Sequence, residues 1–355
     1  ILGAEMRRVT NQASISSAFG YNENSLLQQP VDYERVLAGR LSQPAVGIGG
    51  TLKFDNLFKK IYQDDRYISA YFNGIYSFQN KYSFSASVRM DQSNLFGTDP
   101  KYRYKPLWSV GANWNIDKED FMQQQNVFTA LKLRIAYGFN GNTSKTSIPQ
   151  IVATYVNNLR TSPASTALSL LSLENSSLRW EETRNFNTGI DFQVGKHVFV
   201  NLDYYIKDSQ DLLAQSRLDP TRGASSAELN AASIRNKGVE LALHADWIAK
   251  RRFNWNTGLI LSRNTNKVTK MYLNTELNSS TYFTNNYIVG YPVGTMFSYR
   301  YAGLDSTGLP QVYDLNGNVT AVDTNNDGGL SELVYNGNTI PAINAGLSNR
   351  VDIGN

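Results

Sequence analysis

The sequence predicts an all-β fold, an antiparallel transmembrane β-barrel, on three observations. Apolar and polar residues alternate with a period of two along much of the chain, the mark of a strand with one dry and one wet face. The connections between these segments run long and short in turn, as when hairpins turn tightly on one side of a membrane and reach out on the other. No run of about 18 apolar residues exists, so a transmembrane helix is excluded and only strands could cross a bilayer.

The elements follow in order. Ile1-Leu2-Gly3-Ala4-Glu5-Met6 reads as the middle of a strand and lacks the charged and apolar regions of a signal peptide. A weaker alternation covers 66–79. Tyr82, Phe84, Ala86, Val88 and Met90 alternate with Ser83, Ser85, Ser87, Arg89 and Asp91. Trp108, Val110, Ala112, Trp114 and Ile116 then share one face, and Leu131, Leu133, Ile135 and Tyr137 another. The clearest pair is Phe186 to Val194, restarting after Gly195 and Lys196 with Val198, Val200, Leu202, Tyr204 and Ile206. Val239, Leu241, Leu243, Ala245 and Trp247 alternate with Glu240, Ala242, His244 and Asp246. Weaker segments at 252–265 and 295–303 and a strand under way from Ile343 bring the total to about eleven.

Connections are expected at 13–65, 79–81, 93–105, 118–128, 139–181, 195–197, 209–233, 248–252 and 266–294. A strand of about ten residues, at ~3.3 Å each and tilted ~40°, rises roughly 25 Å, the height of the apolar band of such a barrel. The apolar rows are therefore expected to face lipid and the polar rows an aqueous interior, leaving Phe192, Leu202, Leu243 and Val110 outside any packed core. The connection at 304–341 breaks the rule, being long where a short turn is due.

Composition fits this reading. The 355 residues are 41% hydrophobic and 12% aromatic, with 21 Tyr, and a mean hydropathy of −0.38 follows if half of each strand faces water. A net charge of +4 is slight for this length, and nucleic acid is not expected as a partner. The basic run Lys250, Arg251, Arg252 reads as a solvated corner. The absence of cysteine excludes disulfides and thiolate metal sites.

No enzyme motif is found. Gly47-Ile48-Gly49-Gly50 lacks the third glycine of a dinucleotide loop, and no metalloprotease, nucleophile-elbow or P-loop pattern occurs. Of the two histidines, His197 adjoins a tight turn. His244 shares a strand face with Glu240 and Asp246; it lies roughly 6.6 Å from Asp246 by strand geometry and reads as lining of the interior. No cofactor is expected, with one metal exception. Asp323-Thr324-Asn325-Asn326-Asp327-Gly328 matches the first half of a calcium loop, with Asp323, Asn325 and Asp327 as candidate ligands. The twelfth position is Val334, and Glu332 comes two residues early, so the stretch reads first as an Asx-rich turn.

Several blocks together resemble a known family. Asn80-Lys81-Tyr82-Ser83-Phe84-Ser85-Ala86-Ser87-Val88-Arg89-Met90-Asp91 with Leu95-Phe96-Gly97 resembles a block of the SusC/RagA-type TonB-dependent outer-membrane transporters. So do Leu131 to Gly138 with Asn140-Gly141-Asn142, Leu178-Arg179-Trp180-Glu181-Glu182-Thr183, Asp203-Tyr204-Tyr205 with Asp211-Leu212-Leu213, and Asn236-Lys237-Gly238-Val239-Glu240-Leu241. Gly290-Tyr291-Pro292-Val293-Gly294 and Gly303-Leu304-Asp305 continue the series in family order, whereas residues 1–65 match poorly.

The resemblance implies that residues 1–355 are the C-terminal part of a 22-strand plugged barrel in the bacterial outer membrane. It implies import of large nutrients, glycans or peptides, without covalent change. The implied partners are a SusD-like lipoprotein over the external loops, the lipid bilayer, and a TonB complex acting through an N-terminal region. The plug, TonB box and final strands are expected outside these residues. Ligand contacts are expected on the long loops, with Arg179 and Trp180 at a strand's outer end and Tyr282, Phe283, Asn285, Asn286 and Tyr287 as an aromatic and amide cluster. Rings and amides suit sugar hydroxyls and peptide backbone equally. The alternative is a soluble all-β carbohydrate-binding or scaffold protein, whose strands would alternate around a sandwich core.

Overall fold

The computed structural model describes residues 1–16, 21–28, 30, 32, 58–94, 105–142, 150–158, 165–175, 178–219, 221, 226–271, 282–283, 287–322 and 329–354. Its strands are β1 (Leu2–Ser16), β2 (Tyr21–Asn22), β3 (Leu27–Gln28), β4 (Phe58–Phe78), β5 (Tyr82–Ser93), β6 (Pro106–Asn115), β7 (Phe128–Asn142), β8 (Val152–Asn158), β9 (Ser165–Ser172) and β10 (Glu181–Val194). There follow β11 (Val198–Arg217), β12 (Ser226–Lys250), β13 (Phe253–Met271), β14 (Thr295–Tyr299), β15 (Tyr301–Leu304), β16 (Pro310–Tyr313), β17 (Val319–Ala321), β18 (Leu333–Asn338) and β19 (Ile343–Ile353). Ten form one sheet in the order β1-β4-β5-β6-β7-β10-β11-β12-β13-β19. The chain divides into two compact units, residues 5–68 and residues 1–4 with 69–355. In the smaller, Arg8 grips Asp64 with two hydrogen bonds of 2.7 and 3.1 Å, and Arg66 joins the same carboxylate.

Within the larger unit the antiparallel register aligns the two sequence faces across the strands. Tyr82, Trp114, Leu133, Ile190, Leu202, Leu241 and Leu261 form one continuous cross-strand row. One residue away, on the opposite face, runs Ser83, Asn113, Arg134, Gly189, Asp203, Glu240 and Ser262. The apolar face does not close on a dry centre: Leu202 is 40% exposed and Val110 48%, while Phe192 and Leu243 are half-buried. The buried apolar cluster of the described residues is small, Ala214, Ala231 and Ala232 under Leu212, Leu229, Met271 and Tyr287, away from this face. Rows of large apolar side chains left open over seven strands require a non-aqueous neighbour, and a strand-built sheet finds it in lipid.

The band's upper edge gives the strand tilt. Trp108 of β6 and Phe139 of β7 are the last outward apolar residues on their strands, and their register row continues through Arg184, Asp208 and Arg235 to Lys267. On β13 the last outward apolar residue is Leu261, six residues below Lys267. Six residues of slip over the five steps from β6 to β13, at ~3.3 Å per residue and ~4.8 Å per strand, correspond to a tilt of roughly 40°. That is the tilt of outer-membrane barrels.

Aromatic residues mark both edges. At the upper edge Trp108, Tyr137 and Phe139 form a cluster with centroids 5.0–5.9 Å apart. At the lower edge Tyr82 stacks on Trp114, Phe128 meets Phe192 edge-on, and Trp247 lies against Trp255. Their polar tips find partners: Tyr82 Oη and Trp114 Nε1 donate to Glu119 Oε1 at 2.5 and 2.9 Å, and Trp247 Nε1 donates to Thr257. Rings with an apolar body and a wet tip belong at a membrane interface.

The short turns match expectation. Gln79 and Asn80 both take positive φ, 51° and 54°, and Lys81 N–H donates to Phe78 O, which makes a type I′ turn of the kind that suits the twist of a hairpin. Residues 116–127 hold two 3-10 turns, Ile116–Lys118 and Asp120–Met122, around Glu119.

Three expectations need correction. The sheet has ten strands, because 295–303 lies outside it: β14 pairs with β18, β15 joins β16 and β17 in a separate small sheet, and β13 pairs directly with β19. The segment 272–342 is thus a single long connection carrying its own sheets, and the broken loop rule at 304–341 disappears. The connection expected at 209–233 shrinks to 218–225, since β11 and β12 continue as paired strands past the apolar band. Similarly β13 runs on to Met271.

Two outcomes follow. Leu202→Arg, on the lipid face, should destabilise the folded protein by about 2–4 kcal/mol, whereas Asn201→Arg on the hydrated face should change stability by less than about 1 kcal/mol. Urea-titrated folding into phospholipid vesicles measures both, and equal losses would refute the assignment of faces. Hydrogen bonds from Tyr82, Trp114 and Lys81 hold the Glu119 carboxyl down at about 2, below its ordinary 4.5. A depressed folded pKa stabilises above the unfolded value and loses that contribution as pH falls through the folded one. Glu119→Gln should flatten the stability profile between pH 4.5 and about 2, with no difference in slope above pH 5.

Candidate functional site on the hydrated wall and external rim

The polar face of β7, β10 and β11 carries an organised charge network. Arg134 binds Asp191 through both Nε and Nη2 at 2.8 and 2.7 Å and reaches Asp203 with Nη2 at 3.1 Å. Asn201 donates to Asp191 Oδ1 at 2.9 Å. The guanidinium lies flat on the wall because Gly189 sits beneath it: a Cβ there would collide with Asp203 Oδ1 and Arg134 Nη2. Likewise Tyr205 lies across Gly238, with Oη 2.6 Å from where a Cβ would be. Small and amide residues elsewhere on this face, such as Ser85, Ser87, Asn113 and Asn187, leave a hydrogen-bonding surface suited to water and polar solutes. His244 Nε2 lies 3.2 Å from Asp246 Oδ1, and no group of three potential ligands forms among the described residues.

Above the band, β10, β11 and β12 build a rim around Arg179. Its Nη2 pairs with Asp211 Oδ1 at 2.6 Å. Asn230 clamps the backbone on both sides: its Oδ1 accepts Arg179 N–H at 3.1 Å, and its Nδ2 donates to Arg179 O and Asp211 O at 3.0 and 2.6 Å. Asp211 takes a left-handed conformation, φ 56°, inside the register break between Ser209 and Leu212. Asp tolerates that conformation better than a branched residue, and the bulge turns the chain so that both Arg179 and Asn230 reach it. Glu181 accepts Leu213 N–H at 3.0 Å and Asn142 Nδ2 at 2.9 Å, tying β7, β10 and β11 at the same level.

The expected contact residues separate into groups. Arg179 and Tyr287 come to this rim: Tyr287 packs on the alanine cluster, and burial, then Glu181 and Glu228, push its hydroxyl pKa upward. Trp180 packs on Gly141 and lines, with Trp108, Phe139 and Lys105, a cavity of about 220 Å³ beside the upper aromatic edge. Tyr282 and Phe283 lie elsewhere, against Phe297 and Tyr299, where Phe297 meets Tyr291 and Tyr335 on the β14–β18 pair. Asn285 and Asn286, and the calcium-loop candidates Asp323, Asn325 and Asp327, lie outside the described residues. Sequence reasoning missed Asn230 altogether. Its signal was faint, a polar residue in a stretch whose small side chains, Ala231, Ala232 and Ser233, show no alternation.

A lipid-facing band bounded by aromatic edges, strands tilted by roughly 40° and a charged, hydrogen-bonding opposite face define a membrane-spanning β-barrel protein. The comparisons specify which kind. Residues 5–347 match the family model of the TonB dependent receptor-like β-barrel, and the chain belongs to that family. It is 30% identical over 311 residues to TonB-dependent receptor P26 of Formosa agariphila, covering 81% of this chain and 30% of that protein. It is 27% identical over 264 residues to TonB-dependent receptor SusC of Bacteroides thetaiotaomicron, covering 68% of this chain and 25% of that one. Solved structures of the RagAB peptide importer superpose with TM-scores of 0.73–0.75 at 22% identity, over 99% of this chain and 36–37% of theirs. The chain thus spans about a third or less of the length of these relatives. The family is one of outer-membrane receptors and transporters, which places the chain in the bacterial outer membrane.

The rim generates its own test. Asn230→Ala removes three hydrogen bonds from residues 179 and 211. Hydrogen exchange at the Arg179 amide should accelerate roughly tenfold or more, the change expected when about 1–2 kcal/mol of local protection is lost. Unchanged exchange at Arg179 would show that Asn230 is not the clamp.

Proposed function

We propose that the chain forms the C-terminal part of a plugged, TonB-energised importer of large nutrients, glycans or oligopeptides, that works with a SusD-like surface lipoprotein. The observation that carries this reading is the separation of the two strand faces beneath long external connections: lipid on one side, and a wall of amides, hydroxyls and paired charges on the other. Such a wall does not bind a solute tightly at one point, as a conduit requires. A barrel of 22 strands has a lumen wide enough to hold a plug, and a plug elsewhere in the protein, displaced by energy from a TonB complex, supplies the gate.

Substrate meets the protein at the external end. We assign contacts there to the rim of Arg179, Trp180 and Tyr287 and to the connection bearing Tyr282, Phe283, Asn285 and Asn286, beneath the lipoprotein. No bond of the substrate is made or broken. The soluble sandwich alternative would require the apolar rows to be packed together, and they stand open.

Uptake separates these readings. Cells expressing the receptor with its neighbouring surface lipoprotein should accumulate a fluorescent oligosaccharide or oligopeptide, and loss of TonB should abolish that uptake. Uptake independent of TonB would overturn the mechanism. Recovery of the protein as a monodisperse species in detergent-free buffer would overturn the membrane assignment as well.

A further inference from the structure

We infer that the outward face of β12 and β13, just above the apolar band, holds the phosphate groups of an outer-leaflet lipid. The register puts Arg235 and Lys237 of β12 on the same face as Val239 and Leu241, and Arg263, Thr265 and Lys267 of β13 on the same face as Leu261. These side chains therefore rise directly from the last apolar residues of the two strands, on the side opposite the hydrated wall. All four cations are exposed. Arg235 is engaged, donating to Asp208 at 2.5 and 3.1 Å, and this pair uses up the outward carboxylate of the adjoining strand at that height. Lys237, Arg263 and Lys267 make no ion pair among the described residues.

A cavity of about 600 Å³ opens among Arg235, Lys237, Thr265, Lys267, Val289 and Gly290. The turn at Val289–Gly290 is fixed beside it by the backbone: Gly290 N–H donates to Val268 O at 2.9 Å, and Val268 N–H to Tyr291 O at 2.8 Å. Cations at a membrane boundary, three of them without an ion pair among the described residues, next to a fixed recess and continuous with a lipid-facing surface, match a ligand with acyl chains below and phosphates above. A soluble nutrient has no reason to visit this face. Phosphate is the shared chemistry, and its source is distinguished by what hangs from it.

The test compares three probes on the full protein in mild detergent by native mass spectrometry: lipid A, the same lipid enzymatically dephosphorylated, and inorganic phosphate. Lipid A should stay bound through delipidation, the dephosphorylated lipid should dissociate, and inorganic phosphate should not displace lipid A at equal concentration. Lys237→Gln, Arg263→Gln and Lys267→Gln should each weaken lipid A binding roughly fivefold, and the triple variant roughly 100-fold. Arg350→Gln, which removes a cation paired with Asp352 on the opposite face of β19, should leave it unchanged. Equal retention of the dephosphorylated lipid by the unmodified protein, or full displacement by inorganic phosphate, would overturn the inference even if the triple variant does not fold. Retention by a folded triple variant would overturn it too.

Discussion

Hydrocarbon offers no hydrogen bonds, so every backbone N–H and C=O within the bilayer must be paired inside the protein. In this chain the antiparallel ladder meets that demand between neighbouring strands of the main sheet, from β5 through β6, β7, β10, β11 and β12 to β13. Once the backbone is committed to strands, side chains can only point two ways, and the two-residue period becomes a sorting device. One set contacts lipid and the other water, with no third environment between them. A slip of one residue in the pairing of any one strand would carry that strand's apolar set, Leu202 with its neighbours on β11 for example, to the wet side, so this separation also fixes the register.

The hydrated wall is ordered in its own way. Charges there are paired across strands, as in the Arg134, Asp191 and Asp203 group, and glycines provide the space in which long side chains lie flat. The pairing is partly exposed, so its contribution to stability is modest. Its larger consequence is a surface with few protruding free charges on which a solute could lodge. Above the band the rules change: bulges, a left-handed Asp211 and the Asn230 clamp fasten a connecting segment onto strands that no longer face lipid.

Much of this was legible in the sequence. Strands inside the band were readable because lipid demands apolar side chains at alternate positions, and the short turn at 79–81 because one alternating run ends and the next begins at Tyr82 with almost nothing between them. Legibility ended where lipid ended. The stretches 209–217 and 226–233 are strand but carry no alternation, because Ala214, Ala231 and Ala232 there are buried against Leu212, Leu229 and the loop residue Tyr287 and do not face lipid. The segment 295–303 alternates yet belongs to a connection, where Phe297 is buried by the aromatic residues of a small independent sheet. Among the candidate contacts, Arg179 was visible through its motif, but its partners Asp211 and Asn230 are 32 and 51 residues away in sequence, joined by strand pairing.

By itself the sequence determined that this chain crosses a membrane as strands and which half of each strand meets lipid, because alternation records a local choice between two solvents. The family resemblance was likewise written in short contiguous blocks. Only the tertiary structure decided which strands are neighbours, that 272–342 is one connection, and that Lys237, Arg263 and Lys267 gather beside a recess at the boundary. Those facts depend on register and tilt, which arise from hydrogen bonds between residues distant in sequence and leave no trace in any one strand.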